Sequence, residues 1–109
     1  MVDIDSFRKL ALSFPETVEQ DHWGRPSFRV KKKIFATLWP VEKRAVLKLS
    51  PIDQSVFTEY NPKIFYPIPN AWGKQGWTFV ELKKVRKDMF VDALNQAWRE
   101  VAPKSLLKE

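Results

Sequence analysis

The chain carries one histidine and no cysteine, so disulfides, thiolate metal sites and thiol nucleophiles lie outside its chemistry. His22 follows Glu19 and Asp21, which places three side chains of metal-ligand type within four positions. On an extended strand Glu19 and Asp21 point to one face and His22 to the other, so the three do not converge on an ion. No metal or other cofactor is expected. As a general base His22 would need a reacting partner and a group to orient it, and no serine, threonine or carboxylate stands at a recognisable motif spacing. No catalytic residue is assigned, and the chain reads as non-enzymatic. The glycines of "WGKQGW", residues 72 to 77, stand three apart and lack the pattern of a phosphate-cradling loop.

Cations and indoles carry more information. Trp-Gly-base occurs twice, as Trp23-Gly24-Arg25 and Trp72-Gly73-Lys74, in a chain with only three glycines and five tryptophans. One reading is structural: each glycine turns the chain while the neighbouring indole covers an edge of the core, with Trp98 packing against them. The other is a surface platform on which Trp23 or Trp72 stacks on a base while Arg25, Arg29 and Lys74 contact phosphate. Lys31, Lys32 and Lys33, together with Arg29, Lys43 and Arg44, form a basic wing suited to a nucleic-acid backbone, or else an edge strand guarded against aggregation. A third reading places a small-ligand pocket under the same loops, lined by His22, Trp23, Trp72, Lys74 and Trp77.

The charge distribution supports a polyanionic partner. Net charge is +6; residues 23–48 hold eight bases and one acid, whereas residues 1–22 hold five acids and two bases. A basic middle segment of this kind either attracts DNA or single-stranded nucleic acid or serves as a solubilising surface. With 109 residues the chain is the size of one domain, here read as 1–109, and its 14% aromatic content supplies large core pieces. The first residues are acidic where a secretory signal needs positive charge, and no run approaches the ~18 apolar residues of a membrane span. A cytoplasmic protein without membrane association is expected; a protein partner is left unspecified.

The elements that must position these groups follow from periodicity. Asp3 or Asp5 caps a first helix with Ile4, Phe7, Leu10, Ala11 and Phe14 on one face, stopped by Pro15. From Val18 to Leu49 the period shortens to that of an antiparallel meander. In Ile34–Trp39 both faces are apolar, with Ile34, Ala36 and Leu38 on one side and Phe35, Thr37 and Trp39 on the other, as in a doubly covered strand or one with a binding face. In the next strand Ala45, Leu47 and Leu49 face inward while Val46 and Lys48 face a half-exposed side. Ser50 and Pro51 start a second helix whose buried side is Ile52, Val56, Phe57 and Tyr60. Three prolines between Asn61 and Asn70 limit that stretch to edge or irregular chain. Trp77 and Phe79 then share one strand face, opposite Thr78, Val80 and Leu82. The last helix repeats Ala93, Leu94, Ala97, Trp98 and Val101, ends at Pro103 and is followed by a short terminal turn, "KSLLKE". This order describes an α+β layered domain with an antiparallel sheet.

The segments "HWGRPSFRVKKKIFATL", "LKLSP", "AWGKQGWTFVEL" and "ALNQAWREVAPKSL" resemble, in order and spacing, the MmcQ/YjbR family of small bacterial proteins, from about Leu12 to Leu106. The resemblance implies an α-β(3)-α-β(2)-α fold, similar to type III secretion chaperones and also described as CyaY-like. It also implies DNA binding by structural analogy, without transferable catalytic residues. The chaperone likeness and the doubly apolar strand make a protein-interaction module the alternative. CyaY-like folds include an iron-binding protein with an acidic helix and edge, which the acids between Asp3 and Asp21 echo, but the basic net charge opposes that analogy. One departure stands out: relatives usually have glycine before the Lys-Ile-Phe strand, where this chain has Lys31 and Lys32. A tight primed turn forces lysine into positive φ at ~1 kcal/mol. Either the loop is longer than two residues, or the charge is worth the strain.

Overall fold

Asp3 caps the first helix, α1 (Ile4–Leu12), its carboxylate accepting from Ser6 N at 2.8 Å. That hydrogen bond holds the Asp3 carboxyl below its usual range. Phe7 and Ala11 are buried from this helix, with Ile4, Leu10 and Phe14 packed at the margin of the same core. The computed structural model describes residues 1–107, so the last two residues of the terminal "KSLLKE" lie outside the described residues.

After α1 the chain forms four antiparallel strands in succession: β1 (Thr17–His22), β2 (Arg25–Val30), β3 (Lys33–Trp39) and β4 (Arg44–Lys48). Helix α2 (Pro51–Tyr60) leads to β5 (Phe65–Pro67), the short helix α3 (Ala71–Lys74), β6 (Trp77–Glu81), α4 (Lys87–Val101) and the terminal turn α5 (Lys104–Leu107). The sheet order is β1-β2-β3-β4-β6-β5, all pairings antiparallel. The architecture is the expected α+β layer, with β1 as an additional edge strand in the first group. Pro67 lies on β5 at the other edge, where its missing N–H costs the ladder nothing.

One face of the sheet is the core. Phe28, Val30, Ala36, Leu38, Ala45, Leu47 and Val80 are fully buried there with Phe7 of α1 and Phe90, Ala93, Leu94 and Ala97 of α4. The periodicity of α4 extends to Trp98, whose ring stacks on Phe14 at 6.0 Å and whose indole N–H donates to Pro15 O at 3.2 Å. Trp98 therefore closes the α1 side of the core and does not pack against the Trp-Gly corners, contrary to expectation.

Three further expectations are corrected. Phe28 pairs with Ala36 but Arg29 pairs with Ile34, so Phe35 is an inserted bulge residue. The bulge reverses the alternation: Phe35 joins Ala36 and Leu38 in the core, edge-on to Phe14, and Ile34 moves to the side of Thr37 and Trp39. Val46 is only 5% exposed, not half-exposed, because Thr37 and Phe79 flank it on the adjoining strands. In α2 the cap is as expected, with Ser50 Oγ accepting from Asp53 N at 3.0 Å, but Phe57 alone is buried. Ile52, Val56 and Tyr60 form an exposed stripe at four-residue spacing. No helix among the described residues is long and apolar enough to cross a membrane.

Candidate functional site

The face of the sheet opposite the core carries an open cavity of about 840 Å³. Strand register explains much of its composition, because side chains alternate between the two faces except at the β3 bulge. At one end lie His22, Arg25 and Trp39; across the middle lie Thr37 and Val46; at the other end lie Arg29, Ile34, Lys48 and Trp77. Trp23, Lys32, Lys33, Ile68, Trp72 and Val101 complete the lining from turns, a strand end and helices. Four of the chain's five tryptophans thus face one cavity with five Lys or Arg side chains, and no carboxylate among the described residues lines it.

Two tight hairpins rim this surface, and both are strained. Trp23 and Gly24 form a two-residue turn between β1 and β2 with φ of 55° and 81°, and the Asp21 carboxylate accepts from Gly24 N at 3.2 Å. Glycine takes that conformation freely, but for a bulky residue such as Trp23 it is an outlier. The indole is 88% exposed and touches His22 edge-on at 6.4 Å. Lys31 and Lys32 form the next two-residue turn with φ of 49° and 72°. The hairpin is therefore tight, and the longer-loop alternative is excluded; the lysines accept the strain, as residues at functional surfaces often do. Lys32 faces the cavity, whereas Lys31 turns to Glu16 at 2.6 Å.

The second Trp-Gly corner is built differently. Gly73 sits in α3 against the backbone of Ile68, and a Cβ there would lie 1.9 Å from Ile68 O. Asn70 caps this turn by accepting from Trp72 N at 3.1 Å, and the Gln54 amide donates to Gly73 O at 2.9 Å and to Thr78 Oγ1 at 3.0 Å. These bonds anchor α3 to α2 and β6 and leave the Trp72 ring 58% exposed at the cavity. Both corners thus present their indoles to solvent, and neither indole closes the core.

Not every expected cation is gathered here. Arg25 lies over the Trp39 ring at 3.9 Å and pairs with Glu42 at 3.3 Å; Lys48 is 3.8 Å from Glu100. Arg29, Lys32 and Lys33 line the cavity without an ion pair among the described residues. Lys74 closes α3 but does not line the cavity, so it is not the polar anchor beside His22 that the pocket reading expects. Lys43 sits in the β3–β4 turn beside the N-terminal segment. Arg44 is further along the same sheet face, over Phe79 at 5.1 Å and 3.1 Å from Glu81. Tyr66 donates to the same Glu81 carboxylate, and burial, reinforced by that carboxylate, pushes its phenol up to about 12. This neutralised cluster ends the cationic surface.

Glu19 turns to the opposite side of β1, where Arg8 binds it with two hydrogen bonds of 2.9 and 3.1 Å that raise the Arg8 guanidinium above its ordinary value. No group of three metal-ligating side chains forms among the described residues. Thr37 and Trp39 lie on the strand face that the sequence offered as a binding face, whereas Ile34, Val46, Lys48, Ile68 and Val101 were not anticipated as lining residues. For Lys48 the signal was present, since it shares a strand face with Val46 opposite Leu47.

Comparison with known proteins places this fold in a wider group. A family model described as YjbR matches residues 12–100. A crystal structure of a Deinococcus radiodurans protein with the domain DUF419 superposes with a TM-score of 0.82 at 20% identity, covering 96% of this chain and 82% of that one. A Pseudomonas syringae protein superposes with a TM-score of 0.72 at 18% identity, covering 91% of this chain and 98% of that one. At those identities the likeness concerns the fold. No curated protein matches the chain.

Proposed function

The chain belongs to the YjbR family, and we propose that it is a non-enzymatic module that binds single-stranded nucleic acid on the concave face of its sheet. One observation carries the reading: four indoles and five cations line one cavity from which carboxylates among the described residues are excluded. Every base has a π face, so an indole holds any base at ~1–3 kcal/mol, while lysine and arginine neutralise the backbone and release its counterions. A duplex hides its base faces in the stack, so indoles that bind by stacking favour an unpaired strand. From β1 to β6 the sheet spans four inter-strand steps, about 19 Å, which accommodates more than a single nucleotide.

Titration of a labelled single strand and the matching duplex at two salt concentrations tests the proposal. The single strand should bind in the micromolar range at low salt, more tightly than the duplex, and weaken steeply as salt rises. Absence of binding to either at low salt removes the proposal. Cavity volume favours a second reading, since about 840 Å³ also falls within the ~300–1,000 Å³ of small-molecule sites. A free aromatic anion that binds as tightly as any strand would select it.

A further inference from the structure

We propose, resting on the single-strand reading, that the Arg29 end of the cavity is a subsite for the terminal phosphate of the strand. Ser27 is fully buried, donates its hydroxyl hydrogen to Gln20 O at 2.8 Å and accepts from Arg29 Nε at 3.1 Å. Its single proton is thereby committed to Gln20, so the oxygen facing Arg29 can only accept, and the guanidinium is held in one orientation. Both terminal nitrogens of Arg29 remain without a partner among the described residues. A guanidinium fixed at Nε with its fork free matches two oxygens of one phosphate.

Charge and shape restrict that phosphate to a strand end. Register sets Arg29 opposite Ile34, with Lys48 and Trp77 continuing the row, and the adjoining hairpin adds Lys32 and Lys33. Arg29, Lys32 and Lys33, the three cations at this end without an ion pair among the described residues, exceed what a singly charged internal phosphodiester neutralises, whereas a terminal phosphate carries about −1.5 to −2 at neutral pH. Beyond Trp77 the lining continues with Ile68, whose N–H donates to Trp77 O at 3.0 Å, and near Lys48 with Val101, the residue after the Glu100 that lies 3.8 Å from Lys48. An internal phosphate needs an exit for the chain on both sides; a terminal one needs only the path back over Thr37 and Val46 towards Trp39 and Trp23.

The test is a quenching titration of the intrinsic tryptophan fluorescence with three short oligothymidylates of equal length: 5′-phosphorylated, 3′-phosphorylated and hydroxyl-ended. One phosphorylated strand should bind about 10-fold or more tightly than the hydroxyl-ended strand, as one added charge-assisted contact implies. Ser27→Ala should bring the affinity ratio of phosphorylated to hydroxyl-ended strand down to about one, and Arg29→Gln should collapse the same ratio should the alanine variant fold poorly, even where the affinity common to all three strands also falls. Equal affinity of all three strands overturns the subsite and leaves strand binding intact. Thymidine monophosphate binding as tightly as the phosphorylated strand overturns the strand-end assignment in favour of a free nucleotide, and no quenching by any strand overturns both proposals.

Discussion

The two faces of the sheet alternate along the same strands but have opposite chemistry. In β2, Phe28 and Val30 pack against the helices while Arg25, Ser27 and Arg29 belong to the concave side. In β4, Ala45 and Leu47 go to the core while Val46 and Lys48 line the cavity. The covered face is apolar and buried; the concave face combines indoles with cations. Hydrophobic burial makes the first face the source of stability, and the second is free to hold charge and exposed aromatics that contribute little to folding. The bulge at Phe35 is where the two roles are exchanged along β3. Without the inserted residue, Phe35 would fall on the concave side and Ile34 in the core.

This division predicts that stability and binding can be lost separately. The largest effect should come from Phe35→Ala, which empties a fully buried site and should cost about 3–5 kcal/mol in urea denaturation, with binding by the remaining folded molecules unchanged. Trp23→Ala should do the reverse: an 88% exposed ring leaves the denaturation midpoint nearly unmoved, while strand affinity falls by ~1–3 kcal/mol. A large stability loss there would mean that the corner does serve the core. Lys32→Gly should raise stability by up to about 1 kcal/mol by relieving the positive φ. The same change should flatten the dependence of log affinity on log salt by about 0.7, the share of one phosphate contact on a single strand.

The smallest effect concerns pH. Tyr66 is protonated in the fold up to about 12 against an ordinary 10.0, so the unfolded chain releases this proton first. Its contribution is complete below pH 10 and declines as pH rises towards 12. Tyr66→Phe should reduce the loss of stability across that window, as measured by denaturation at several alkaline pH values. An unchanged alkaline profile would show that the Tyr66–Glu81 bond does not bias folding.

How much of this was legible in the sequence follows from the range of each interaction. Caps and helix faces are local, so Asp3, Ser50 and the stripe from Ala93 to Trp98 could be read directly. The bulge could not, because Ile34 and Phe35 are both apolar and alternation carries no mark of an inserted residue. Periodicity showed that α2 has an apolar stripe but not what covers it, and Ile52, Val56 and Tyr60 remain exposed. Glycine spacing marked both corners, yet whether an indole points inward depends on distant partners, such as Gln54 for Trp72. The cationic strip was legible in composition but not in grouping. Lys31 and Arg44 are taken up by Glu16 and Glu81, while Lys48 joins Arg29 only through strand pairing.

The most direct test of a single binding face is a nuclear magnetic resonance titration that follows the indole N–H signals of all five tryptophans as an oligothymidylate is added. Trp23, Trp39, Trp72 and Trp77 line the cavity, whereas Trp98 is buried on the helix side with its N–H bonded to Pro15. The four cavity signals should shift together with one dissociation constant while the Trp98 signal stays in place. Uniformly unperturbed signals, or a shift of Trp98 alone, would contradict it.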